Sequence, residues 1–147
     1  MSEATDKGAP VMSNLETVQT IYQAFGAGDV PTILGFVADD VAWEAWEDNS
    51  AQKAGVEHLQ ARQGRAGVQQ FFELVGTYEI TDFQVLGLMD GGDRIGVEVL
   101  IEGKLANGNP FRDEELHLWT FDHEGKVVRM RHYTDTAKHI AAYRGDG

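Results

Sequence analysis

Four stretches that alternate bulky with polar residues fill the chain from Tyr78 to Thr134, and short glycine-bearing turns separate them. They run Tyr78 to Met89, Arg94 to Lys104, Phe111 to Asp122 and Lys126 to Thr134, with turns at Asp90-Gly91-Gly92-Asp93, Asn107-Gly108 and His123-Glu124-Gly125. A period of two marks strands with one face in the core, and turns of this kind join neighbouring strands as hairpins. Four such strands in succession predict an antiparallel meander, which leaves the rest of the chain the task of covering one face of a sheet.

The first half supplies the cover. Ser13 and Glu16 have capping-box spacing, and Leu15, Val18, Ile21, Tyr22 and Phe25 form one helical stripe that should end near Gly26 or Gly28. Asp29 then caps a second short helix with Pro31 in its first turn, where a missing N–H costs nothing, and Asp39-Asp40 is read as its breaker. Val41 to Trp46 reads as a short strand, with aromatic residues on both faces. Residues 47–64 are polar and without a clear period, and are read either as a rim or lid or as an ordinary surface segment. A third helix from Arg65 buries Val68, Phe71, Phe72 and Val75 and closes near Gly76, and TAKHIAAY forms a terminal helix. Helices and strands are segregated, so the fold class is α+β, with a single domain from Ser13 to Gly147 and a disordered lead-in over residues 1–12.

A chain of 147 residues can bury a real core without cross-links. It has no cysteine, which removes disulfides, thiolate metal sites and a thiol nucleophile and fits a reducing compartment, with the cytoplasm as the expected location. With 24 acidic and 12 basic residues the net charge is −12, which repels nucleic-acid backbones and anionic lipid; neither is an expected partner. No stretch approaches the roughly 18 to 20 apolar residues that cross a bilayer.

Cofactor motifs are missing. The glycines sit in hairpin turns and not in a phosphate-cradling loop, and there is no HExxH, EF-hand or GxSxG pattern, so no cofactor and no metal is expected. What remains is acid–base chemistry, and the residues for it crowd the last hairpin. His117, Trp119 and Phe121 share one face of its first strand. On its second strand either Met130, His132 and Thr134 or Arg129, Arg131 and Tyr133 face inward.

The run VQTIYQAFGAGDVPTILGFVADDVAWEAW, followed much later by EGKVVRMRHYTDTAKHIAAY, resembles the nuclear transport factor 2-like superfamily, and within it the SnoaL-like polyketide cyclases and ketosteroid-isomerase-related proteins. The resemblance implies a cone-shaped, curved antiparallel sheet wrapped around three helices from the N-terminal half, a short C-terminal helix, a deep pocket for a small apolar molecule, and homodimers formed through the sheet. Against ketosteroid isomerases the match places Ala45 where the general base stands and Ile21 where the oxyanion-binding tyrosine stands, so that machinery is disfavoured, and Tyr22 is assigned to the core stripe. Against the cyclases it places His117 in the penultimate strand and Asp135 just after the last one as the catalytic pair. Trp43, Trp46, Glu98, Trp119 and His132 are placed around the substrate.

Plainer roles compete with each of these. Asp135 stands where an N-cap would be worth about 0.5 to 2 kcal/mol with no catalytic duty. His117 and His132 could be hydrogen-bonded interior histidines. Glu98 faces the pocket if Ile95, Val97, Val99 and Ile101 form a dimer contact, and faces solvent if those residues cover the helices; the resemblance favours the pocket. Two functions stay open: a cyclase, isomerase or hydratase acting on a carbonyl-bearing molecule, and a binding module that holds a hydrophobic ligand or partner without turnover.

Overall fold

The computed structural model describes residues 12–44 and 48–145. Helix α1 spans Asn14–Gly26 and opens on the expected capping box: the Glu16 N–H donates to Ser13 Oγ at 3.1 Å, and the Ser13 N–H donates to Glu16 Oε1 at 2.9 Å. Helix α2, Val30–Gly35, is capped by Asp29, whose carboxylate accepts the Thr32 N–H. Strand β1 follows at once, over Val37–Glu44. The expected strand start at Val41 is therefore four residues late. Asp39 and Asp40 do not break a helix but lie exposed within the strand, where its pairing with the last strand shifts register between Val37 and Ala42.

Residues 48–63 are more ordered than their sequence suggests. They form a short helix α3 (Ser50–Lys53), a 3₁₀ turn (Glu57–Leu59) and a two-residue strand β2 (Arg62–Gln63). Ala51, Val56 and Leu59 make a small core of their own, closed by Ile140 of the terminal helix. Helix α4 (Gly64–Val75) buries Val68 and Phe71. The meander is β3 (Glu79–Asp90), β4 (Arg94–Lys104), β5 (Pro110–Phe121) and β6 (Val127–Tyr133), followed by α5 (Thr136–Arg144). Gly92 and Gly125 take φ of +83° and +78° in the turns, a region in which a Cβ would be strained.

The six strands form one curved, unclosed sheet in the order β2-β1-β6-β5-β4-β3. All pairs are antiparallel except β1 with β6, which is parallel because the chain leaves β1 and returns to its flank only after the whole meander. Register fixes the inner face. Ile95, Trp119, Met130 and Trp43 stand side by side across four strands, and Val97, His117 and His132 form the next row. All seven are buried, packed with Val18 and Ile21 of α1 and Val68 and Phe71 of α4. The inner set on β6 is thus Met130 and His132; Arg129, Arg131 and Tyr133 face outward, and both arginines donate to Glu44 of β1. No helix among the described residues is long and apolar enough to cross a membrane.

Candidate functional site

The concave side of the sheet and the helices enclose a chamber of about 80 Å³. Tyr22, Trp43, His58, Tyr78, Glu115, His117, Trp119, His132 and His139 supply its polar lining, among phenylalanines and aliphatic residues. An open cleft of about 960 Å³ between α1, α4 and β3 adjoins it and shares Tyr22, Phe25, Phe72, Tyr78 and Phe83 with its wall. Sites for drug-sized ligands run to about 300 to 1,000 Å³, so the chamber alone falls short of that size and the cleft reaches it.

The polar side chains form one hydrogen-bonded chain. Tyr22 Oη lies 2.6 Å from His117 Nδ1, and Trp119 Nε1–H donates to the same oxygen at 3.1 Å. His117 Nε2 lies 3.0 Å from Glu115 Oε1. The other oxygen of Glu115 is 3.1 Å from His139 Nε2, which is also 2.7 Å from Asp113 Oδ2. His139 Nδ1 is 2.8 Å from His58 Nε2, and His58 Nδ1 is 3.1 Å from Tyr78 Oη.

Local rules explain how the chain of contacts arises. Asp113, Glu115, His117 and Trp119 are alternate residues of β5, so one strand sends all four to the same side. Tyr22 comes from the buried stripe of α1, His139 from the buried side of α5, and His58 from the 3₁₀ turn that the Ala51-Val56-Leu59 core holds against α5.

Charge follows from the same contacts. Burial pushes the Tyr22 phenol well above its ordinary range, partly offset by the Trp119 hydrogen bond, so Tyr22 keeps its proton. It can therefore donate to His117 Nδ1, in the tautomer that puts the His117 proton on Nε2 toward Glu115. Burial works against the charge of Glu115, yet the hydrogen bonds from His117 and His139 hold its carboxyl well below the usual range. Burial likewise opposes charge on His139, but the hydrogen bonds to Asp113 and Glu115 outweigh it and raise His139 to about 9. Burial, reinforced by the charge on His139, lowers His58 to about 3. Burial and the neighbouring His117 push His132 well below the imidazole range, so it is neutral. Its ring touches those of His117, Trp43 and Phe71 and makes no hydrogen bond among the described residues. The buried Trp43 Nε1–H also has no partner there.

The sequence-based site is redrawn by this geometry. Trp43, His117, Trp119 and His132 line the chamber together, while Trp46 and Ala45 lie outside the described residues. Asp135 is not on the chamber. Its exposed side chain makes no capping hydrogen bond and lines a groove on the outer face of the sheet, and only its main-chain N–H reaches inward, donating to Asp113 at 3.1 Å. His117 and Asp135 therefore do not open into one cavity. Glu98 is corrected too: Val97 and Val99 take the inner face of β4, which turns Glu98 outward to solvent in the same outer groove. Tyr22, assigned to the core, reaches the chamber one residue beyond the Ile21 that the resemblance had marked.

Asp113, Glu115, His58, Tyr78 and His139 were missed. For the first two a signal existed, since the period of two that groups His117 with Trp119 runs back to Glu115 and Asp113; for His58 there was none. Asp113, Glu115 and His139 also come nearest to a metal-ligand set among the described residues, with one ligand atom each within 4.8 Å of one another. With His139 protonated, its Nε2–H lies against both carboxylates and the trio is an ion-pair cluster.

The SnoaL-like domain model matches residues 18–130, which includes the chamber residues from Tyr22 on α1 to Met130 on β6. The chain belongs to the SnoaL-like domain family. Solved structures agree with that fold. An NTF2-like protein of unknown function from Burkholderia pseudomallei is 25% identical with a TM-score of 0.73, over 90% of this chain and 98% of that one. A protein from Pseudomonas putida, provisionally titled a polyketide cyclase, is 21% identical with a TM-score of 0.66 over the same shares. TerC, co-crystallised with polyporic acid, is 23% identical with a TM-score of 0.71, over 89% of this SnoaL-like chain and 98% of its own. No curated protein matches the chain.

Proposed function

We propose that this SnoaL-like protein is a cofactor-independent acid–base enzyme that moves a proton next to a carbonyl in a small, mostly apolar molecule, as cyclases and isomerases do. The observation that carries the reading is the series Tyr22–His117–Glu115, with contacts of 2.6 and 3.0 Å, ending on the wall shared by chamber and cleft. It has the logic of a nucleophile–histidine–carboxylate triad, with a phenol in the first place.

In this mechanism the Tyr22 O–H donates to His117 across the 2.6 Å contact, so in the resting state Tyr22 offers the cavity an oxygen and not a proton. In the reaction the substrate C–H proton passes to that oxygen while the phenol proton passes to His117 Nδ1, and the C–H electron pair flows into the enolate. Glu115 stabilises the new imidazolium, and the Trp119 N–H stabilises charge on the phenolate oxygen. The unpartnered Trp43 N–H and the neutral His132 ring are the groups available to hold the substrate oxygen. TerC, co-crystallised with polyporic acid, supports a small-molecule ligand for this fold.

A non-catalytic ligand carrier is the second reading. One observation favours it: the chamber's own carboxylate, Glu115, is already engaged by two imidazoles. Mass spectrometry of the protein from its native source identifies the occupant, and NMR in D₂O then reads hydrogen exchange beside its carbonyl. Exchange that is catalysed by the wild type and lost in Tyr22→Phe is expected; binding without exchange leaves the carrier.

Pairing with a second copy belongs to the same proposal. The outer face of the sheet carries exposed Leu86 and Met89 beside Leu100, Leu116 and Tyr133, an apolar surface suited to a homodimer.

A further inference from the structure

We propose that His139, His58 and Tyr78 form a second proton-transfer arm, one that shares Glu115 with the first and delivers a proton into the same cavity from Tyr78. The inference rests on the reading of Tyr22, His117 and Glu115 as the base arm.

Hydrogen positions along the second arm follow from its partners. Asp113 and Glu115 can only accept, so His139 Nε2 carries a proton toward both. Between the two histidines one nitrogen must donate across 2.8 Å, and the charged ring of His139 supplies that proton from Nδ1 to His58 Nε2. Neutral His58 then bears its proton on Nδ1 and donates it to the Tyr78 oxygen at 3.1 Å. The Tyr78 O–H is left to donate elsewhere, and Tyr78 lines both the chamber and the cleft. From His139 Nδ1 onward, each donor in the arm thus points away from the ion-pair cluster and toward the next group on the way to the cavity.

The two arms balance. A substrate proton enters at Tyr22, and the Tyr22 proton moves to His117 Nδ1. At the other end Tyr78 gives its proton to the developing oxyanion, takes the Nδ1 proton of His58, and His58 takes the Nδ1 proton of His139. One proton leaves carbon and one reaches oxygen, with no oxidant or reductant. The positive charge moves from His139 to His117, two rings that both hydrogen-bond to Glu115, so the carboxylate keeps one imidazolium partner throughout. Ketonisation at a second carbon runs both arms in reverse and restores the starting state, which suits a keto–enol isomerisation. The groups facing His139 are Asp113, Glu115 and His58; those facing His117 are Tyr22, Glu115 and His132.

Long-range ¹H–¹⁵N NMR of the full chain with ¹⁵N-labelled histidine tests this, because it reports which ring nitrogens bear protons. At pH 7 His139 is expected with both nitrogens protonated, His58 with Nδ1–H only and His117 with Nε2–H only. In His139→Gln the His117 ring ¹⁵N resonances should move, since Glu115 is left to one ring. Tyr78→Phe removes a single hydroxyl and guards against misfolding of the first variant; it should move the His58 Nδ1–H resonance and leave His117 unchanged. Conversion of 3-cyclohexenone to its conjugated isomer, followed by ultraviolet absorbance, should slow at least tenfold in Tyr78→Phe.

An Nε2–H tautomer at His58, an unmoved His117 in His139→Gln, or a rate in Tyr78→Phe equal to wild type overturns the second arm. A His117 proton found on Nδ1 overturns the base arm instead.

Discussion

The Tyr22 hydroxyl stands 2.6 Å from His117 Nδ1, and this contact fastens the buried stripe of α1 to the middle of β5. Tyr22→Phe removes it and also strands the Trp119 N–H, which donates to the same oxygen. Unsatisfied buried groups of this kind cost about 1 to 3 kcal/mol, and loss of a general base typically costs about 10² to 10⁴ in rate. The variant should therefore fold, unfold at lower denaturant, and lose proton exchange; exchange at the wild-type rate would remove Tyr22 from the chemistry.

Stability should peak near pH 6.5. His139 holds its proton to about 9 when folded against 6.5 when unfolded, so its contribution is complete below 6.5 and lost as pH rises through 9. At about 1.4 kcal/mol per unit this amounts to something on the order of 3 kcal/mol. His58 and His132 lie the other way: below 6.5 the unfolded chain takes up protons that their buried rings refuse, so stability also falls toward acid. Glu115 adds to the acid limb, because its depressed value gives stability present above about 4.5 and lost below it. Thermal midpoints across pH 5 to 9 measure the curve, and His139→Gln should flatten its alkaline side.

Asp135→Asn should be nearly silent. The exposed carboxylate makes no capping bond and lies on the outer groove, so a change within about 0.5 kcal/mol and unaltered exchange are expected. A hundredfold loss of exchange would return Asp135 to the mechanism and refute the placement of the chemistry in the chamber.

Charge placed on the outer face should separate the copies. Leu86 and Met89 are 50% and 51% exposed on β3, and Leu86→Glu with Met89→Glu would bury like charges from both copies in a sheet-to-sheet contact. Sedimentation should show dimer for the wild type and monomer for the double variant, both with the same circular dichroism. A wild type that sediments as a monomer at high concentration refutes the pairing.

Much of this architecture could be read from residue patterns, because α1, α4 and the four long strands announce themselves by period and turn chemistry. The start of β1 could not: Asp39-Asp40 carries the composition of a breaker, and only the distant partner β6 makes it a strand. The site was half legible for a related reason. His117 and Trp119 share a strand face that sequence spacing reveals, whereas His58 and His139 meet across 81 positions, and nothing local marks a contact of that range. Glu98 and Asp135 were positioned by carry-over from a family, whereas the pleat of β4 turns Glu98 outward and Asp135 lies beyond the end of β6 with its side chain on the same outer groove.

The small core of Ala51, Val56, Leu59 and Ile140 sets His58 and His139 on pieces of chain that are not part of the meander. Tyr22, His117 and Glu115, by contrast, sit on α1 and β5, which the sheet itself holds in place. Residues 48–63 could thus be exchanged for a different insert with the registers from β3 to β6 untouched. Such grafts would leave the groups that take a proton and replace His58, the link between His139 and Tyr78, a route by which a single scaffold can be retuned to new reactions without being refolded.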